Sequence, residues 1–105
     1  MTRIVRTLAA FCMVCAVAPA ACAASTHTVV IDSVRYEPAS VTVKRGDTVV
    51  WRNDDPFPHT VTARGVFDSG SIAAQRQWKY VARKAGKFDY VCTLHPNMTG
   101  TLIVE

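Results

Sequence analysis

Short runs of alternating apolar and polar residues, separated by turn residues, are the feature that most limits the possible folds. Val29 and Ile31 alternate in one run, and Val41 and Val43 in the next. This two-residue period is typical of strands that bury one face, and no segment repeats over ten residues with the helical period. Seven or eight such strands within residues 25–105 predict one all-β domain, a sandwich or a barrel, without linkers or repeats.

The strand that ends at Cys92 predicts where this cysteine points. Phe88, Tyr90 and Cys92 alternate on one face of a run that follows the turn around Gly86. Because successive strand residues point to opposite faces, the Cys92 sulfur is predicted to face the interior at one end of the domain. A thiol in that position is shielded from water and oxidants.

Residue types that bind metals follow directly. Cys92, His95 and Met98 are spaced three residues apart, and His59 ends an upstream turn-rich segment, where the chain re-enters a strand. One thiolate, two imidazoles and a weak axial thioether form the donor set of a blue-copper electron-transfer centre. Taken singly, His59 fits a hydrogen-bonded loop histidine and Met98 fits core packing, so the prediction depends on all four residues together.

Residues 1–24 have the three-part form of a secretory signal peptide, with a basic start, an apolar run and small residues around Ala23. The apolar run is shorter than the roughly 20 residues that a membrane-spanning helix needs. Cleavage would leave residues 25–105 as a soluble periplasmic domain without a membrane span. Small residues before Cys22 leave lipid anchoring there as an alternative, which Pro19 disfavours.

Cleavage would also change the cysteine count and the charge. Cys12, Cys15 and Cys22 lie in the leader, so Cys92 alone would remain. Exported cysteines are normally paired, and metal ligation explains a single one, whereas an incidental buried cysteine is the plain alternative. The chain has a net charge of +4, which loss of the two leader arginines would halve. That balance does not indicate nucleic-acid binding.

Two further features have plain interpretations. His27 is predicted to be solvated, and copper capture by an amino-terminal histidine has no support in the sequence. A group of basic residues in the third quarter of the chain either attracts an acidic redox partner or is a solvated sheet face, and the second interpretation is favoured. The group consists of Arg76, Lys79, Arg83, Lys84 and Lys87.

Four segments together resemble the plastocyanin-like cupredoxins. They are residues 35–38 (RYEP), 44–53 (KRGDTVVWRN), 58–61 (PHTV) and 86–100 (GKFDYVCTLHPNMTG). The two-residue gaps on both sides of His95 are most similar to the amicyanin branch of the family, since plastocyanin, pseudoazurin and azurin have longer ligand loops. The resemblance covers nearly all of residues 25–105.

The resemblance implies a Greek-key β-sandwich (cupredoxin-like) that binds one type 1 copper ion and transfers single electrons by Cu(II)/Cu(I) cycling. It assigns His59, Cys92 and His95 to the trigonal plane around copper and Met98 to the long axial contact. One position departs from the family pattern. Members usually carry Asn after the first histidine, where its side chain ties the ligand loops together, and this chain has Thr60.

The resemblance further implies a monomer with a redox donor and a redox acceptor, for which an amine dehydrogenase or a c-type cytochrome are candidates. Electrons are expected to pass through the ring edge of His95. A copper storage or delivery protein would use the same donors and stays an alternative. An enzyme is not expected, because a catalytic copper oxidase or reductase needs further histidines, and His27 is the one left over.

Overall fold

The computed structural model describes residues 23–105, and within that range it contains strands and no helix. The prediction of an all-β domain is confirmed. There are nine strands rather than seven or eight, because β5 and β6 have only two residues each. The strands are β1 (Thr26–Asp32), β2 (Arg35–Glu37), β3 (Ser40–Val43), β4 (Thr48–Asn53), β5 (Thr62–Ala63), β6 (Phe67–Asp68), β7 (Gln77–Val81), β8 (Gly86–Cys92) and β9 (His95–Val104).

The strands form two mixed sheets. The first has the order β2-β1-β4-β7 and the second the order β3-β9-β8-β5-β6. β1 pairs with β4 in parallel, as β3 does with β9, and the other pairs are antiparallel. In chain order β1, β2, β4 and β7 belong to the first sheet and β3, β5, β6, β8 and β9 to the second, so the chain crosses between the sheets five times. This gives the sandwich that the resemblance implied.

Aromatic side chains fill the core between the sheets. Trp51 is fully buried on β4, and its ring centroid lies 5.5 Å from that of Tyr90, 5.6 Å from Trp78 and 6.0 Å from Phe67. Rings at such separations stabilise a fold through their large buried area and their edge-to-face contacts. The packed aromatic core therefore restricts movement of the ends of the strands that it supports.

One end of the sandwich gathers the predicted site residues, because β4 and β8 both run towards it. β4 ends at Asn53 and β8 at Cys92, and the segments that follow these strands meet there.

The opposite end is closed around Asp47. Its carboxylate accepts the backbone N–H groups of Ser25 and Lys44 at 2.9 and 3.0 Å and lies 2.9 Å from His27 Nε2. The prediction that His27 is merely solvated is wrong, since its side chain is half-buried against this carboxylate.

Residues 1–22 of the predicted signal peptide, with the alternative lipid site at Cys22, lie outside the described residues. The signal peptide and the lipid site both stay predictions. Within residues 23–105, no helix is long and apolar enough to cross a membrane.

Candidate metal centre

Three of the four predicted donors meet at the end of the sandwich. One ligand atom each from His59, Cys92 and His95 lies within 4.8 Å of the other two. The Cys92 sulfur is 3.7 Å from Nδ1 of His59 and 3.7 Å from Nδ1 of His95. Both imidazoles therefore present the same ring nitrogen to one sulfur.

The fourth predicted donor, Met98, is buried in the same core cluster as Cys92, with 3% of its surface exposed. It follows His95 on β9, where inward-facing and outward-facing residues alternate. Met98 and His95 also line one surface cavity together with Leu94 and Pro96. The thioether is thus held on the interior side of the ligand segment.

Cys92 and His95 are fixed by a tight hairpin rather than by a loop. β8 ends at Cys92 and β9 begins three residues later, at His95. A register shift between Val91 and Cys92 pairs Cys92 directly with His95 in the β8–β9 ladder. Because Val91 pairs with Thr99, this shift passes over residues 96–98 of β9. The two donors therefore have the rigidity of paired strands.

His59 reaches the site from a segment that is held to β4 and to Ile72. His59 and Ile72 form an isolated antiparallel bridge with N···O distances of 3.1 and 2.7 Å. The amide of Asn53, fully buried, donates to the carbonyls of Phe57 and Ile72 and accepts the Asp55 N–H. The strand predicted to resume at His59 begins only at Thr62, because these bonds replace a regular ladder.

A buried carboxylate, that of Asp55, orients His59, and the sequence pattern did not predict this contact. Asp55 Oδ2 lies 2.7 Å from His59 Nε2, and both side chains are almost fully buried. Burial opposes ionisation of Asp55, but hydrogen bonds from Val34, His59 and Ser33 outweigh it and keep the pKa of this carboxyl below its ordinary value. An ionised carboxylate only accepts, so His59 carries its proton on Nε2 and leaves Nδ1 free for a metal. The sequence feature that could have indicated this contact is the position of Asp55 four residues before His59.

Thr60, the residue after His59, contacts the sulfur of Cys92 directly. Its N–H donates to Cys92 Sγ at 3.3 Å, and its carbonyl accepts the hydroxyl of Tyr36. Burial, together with the charges of Cys92 and Tyr90, raises the pKa of Tyr36, so the hydroxyl keeps its proton and remains a donor. A hydrogen bond to the sulfur is one of the means by which proteins adjust a thiolate ligand.

The rim of the site is apolar and exposed. Leu94 is 53% and Phe57 40% exposed, although both are large apolar residues. The Phe57 ring centroid lies 5.8 Å from that of His95, which is itself partly exposed. Cys92 and His59 are fully buried. The arrangement shields the sulfur while one imidazole reaches the surface.

The donor set fits copper better than the other common metals. Zinc sites use thiolates, imidazoles and carboxylates, and a thioether is not among their usual ligands. Thiolate, two imidazoles and a thioether in an apolar setting are the donors of a type 1 copper site.

Comparisons with known proteins agree with this geometry. A family model described as a cupredoxin-like domain matches residues 5–104. Amicyanin from Paracoccus versutus is 36% identical over 95 residues, which cover 85% of this chain and 72% of that protein.

Solved structures give the same result. The Cu(I) form of an amicyanin mutant matches with a TM-score of 0.72 and 32% identity, covering 76% of this chain and 82% of that one. A copper-containing nitrite reductase from Thermus scotoductus SA-01 also has a TM-score of 0.72, at 22% identity over 76% of this chain and 22% of that chain, which shows a shared fold alone. The chain therefore belongs to the cupredoxin-like family.

Proposed function

We propose that this protein binds one type 1 copper ion and transfers single electrons between redox partners. His59, Cys92 and His95 would supply the three strong donors and Met98 the weak axial one. The observation that carries the proposal is the Cys92 sulfur at 3.7 Å from Nδ1 of both histidines inside a buried, hydrogen-bonded frame. Copper, when bound, supplies a one-electron Cu(II)/Cu(I) couple.

The scaffold suits electron transfer because it restricts movement of the donors. His59 is held by Asp55, Cys92 by Thr60 and His95 by the ladder of β8 and β9. Side chains held in this way need little rearrangement when the charge at the site changes. Rigid elements and hydrogen-bonded donors are the features expected of a pre-organised site.

Electrons would enter and leave through the partly exposed ring of His95. The apolar rim of Leu94, Phe57 and Pro96 would allow a partner to exclude water as it docks around that ring. A redox protein donor and acceptor follow from this role, and an amine dehydrogenase or a c-type cytochrome remain the candidates. We further propose a periplasmic location, a monomer and no enzymatic activity.

A copper storage or delivery role is the second candidate, because it would use the same donors. The apolar rim favours the carrier, since a partner that receives electrons needs close contact with the ring but not with the copper. Partial exposure of His95 is also compatible with release of the metal.

The test is an absorption and paramagnetic resonance spectrum of the purified, copper-loaded protein. An intense visible band that reductant bleaches reversibly is expected, and Cys92→Ser should abolish it. Rapid electron exchange together with copper that resists a chelator would support the carrier. Slow exchange and ready loss of copper to the chelator would support delivery, and a colourless protein would contradict both the site and the role.

A further inference from the structure

Thr60 is part of a row of three threonine hydroxyls that leads away from the metal centre. Thr93 Oγ1 lies 3.2 Å from Thr60 Oγ1, and Thr60 Oγ1 lies 3.0 Å from Thr62 Oγ1. Thr62 Oγ1 lies 3.1 Å from Oδ1 of Asp68. The row thus connects the residue after Cys92 with a carboxylate on β6.

The carboxylate determines the direction of every hydrogen bond in the row. An ionised carboxylate only accepts, so Thr62 gives its single hydroxyl proton to Asp68. Thr62 must then accept from Thr60, whose own proton is used in that bond. The Thr60 oxygen is left as an acceptor, and it receives both the N–H of Thr93 at 2.9 Å and the Thr93 hydroxyl.

This direction affects the cysteine, because Thr60 binds both the sulfur of Cys92 and the residue that follows it. The Thr60 N–H donates to Cys92 Sγ, while the Thr60 hydroxyl accepts the next backbone N–H, that of Thr93. Thr60 and Thr62 are each only 6% exposed, so water has little access to replace a missing partner. In such surroundings hydrogen bonds in a chain strengthen one another and an unpaired group is costly.

We propose that Asp68 is a remote positioning residue of the metal centre, acting through the hydroxyls of Thr62 and Thr60 to hold Thr93 and the Cys92 sulfur. A carboxamide at position 60 has its own donor and acceptor and needs no outside group to orient it. A threonine hydroxyl at this position has only one proton, so it can accept both hydrogen bonds from Thr93 only if that proton points away from Thr93. The carboxylate of Asp68 therefore makes threonine sufficient at this position.

The first test uses the metal-free protein, so it does not depend on the proposed copper function. Hydrogen exchange of the Thr93 amide is measured by NMR in the wild type, Thr62→Val and Asp68→Ala. Loss of one ordering hydrogen bond should speed exchange roughly threefold to tenfold in both variants. Asp89→Ala is the matched control, because Asp89 is also exposed and accepts a threonine hydroxyl, that of Thr101, at 2.9 Å. Exchange at Thr93 should not change in this control.

The second test asks whether Asp68 acts through Thr60. In a Thr60→Asn background, Asp68→Ala should leave Thr93 exchange unchanged, because the carboxamide orients itself. In the copper-loaded protein, Asp68→Ala should shift the visible absorption band only when Thr60 is present. An Asp68→Ala variant that behaves like Asp89→Ala, or an equal effect in both backgrounds, would overturn the proposal. Failure to bind copper would overturn the proposed function and leave the exchange result standing.

Discussion

His59 is anchored by Asp55, whose carboxylate oxygen lies 2.7 Å from Nε2 on the ring edge opposite the atom that faces Cys92. The same carboxylate accepts the N–H groups of Ser33 and Val34, two residues with positive φ in the turn between β1 and β2. One buried anion therefore fixes the tautomer of a donor and also joins a distant hairpin to the site.

Asp55→Asn should raise the reduction potential of the copper-loaded protein. Removing a buried negative charge near the metal disfavours the more highly charged Cu(II) state, by on the order of 100 mV for an effective dielectric constant of about 20. Protein-film voltammetry measures the shift. Asp54→Asn is the matched control, since Asp54 is the preceding residue and pairs with Arg52 rather than with one of the proposed metal ligands. Equal shifts in the two variants would show that the buried position of the Asp55 charge beside the metal centre is not responsible.

Leu94→Lys should slow electron self-exchange by roughly tenfold without changing the visible spectrum. Two copies that dock around His95 would bring their added charges together, and like charges at an interface reduce the association rate. NMR line broadening in mixtures of reduced and oxidised protein gives the rate. Val81→Lys is the control, because Val81 is exposed but lies at the end of β7 beside Thr48, away from the site. If Leu94→Lys exchanges at the wild-type rate, the contact surface lies elsewhere.

Gly100→Ala should destabilise the metal-free domain by about 1–3 kcal/mol through overpacking. A Cβ at this position would overlap the ring of Tyr90, which pairs with Gly100 across β8 and β9 and is buried against Tyr36 and Trp51. The urea midpoint measures the loss. In a Tyr90→Leu background the cost of Gly100→Ala should shrink, because the smaller side chain leaves room. A cost that is the same in both backgrounds would contradict this steric explanation.

Asp47 should make the fold sensitive to acid. Hydrogen bonds from the N–H groups of Ser25 and Lys44 and from His27 lower the pKa of Asp47 from 3.8 to about 2. Because the folded-state pKa is the lower one, the ionised carboxylate stabilises the fold above about pH 4, and this contribution is lost as the pH falls from about 4 to 2.

Urea unfolding of the wild type and Asp47→Asn across this pH range measures the effect. The wild type should be the more stable protein above pH 4, and the difference should narrow steadily towards pH 2. A difference that stays constant down to pH 2 would show that ionisation of Asp47 is not linked to folding.

Much of this architecture could be predicted from alternation and residue type. The inward direction of Cys92 follows from its period with Tyr90, and the structure buries both. The meeting of His59, Cys92 and His95 was predicted from their chemistry, and their ligand atoms do lie together. Such predictions succeed because strand period and donor chemistry are properties of the local sequence.

Contacts set by register could not be predicted. The strand start at His95 depends on a register shift beside Cys92. No residue indicates this shift, because Pro96 and Asn97 are typical of a turn and not of a strand. The bond from Thr62 to Asp68 depends on β5 pairing with β6. The role of Asp55 depends on a hairpin turn more than twenty positions away. Long-range pairing places these groups, and alternation alone does not specify it.

The hairpin that joins Cys92 and His95 brings two metal ligands together within four consecutive residues. His59 lies 33 positions upstream of Cys92 and precedes β5, which flanks β8 on the side opposite β9. The complete trio exists only once β4, β5 and β8 have assembled. Metal binding would thus require the complete fold, and a bound ion would stabilise the folded state against unfolding by mass action. A partly assembled chain would lack the centre altogether. The intensity of the visible absorption band of a copper-loaded sample would therefore measure the fraction of correctly folded molecules.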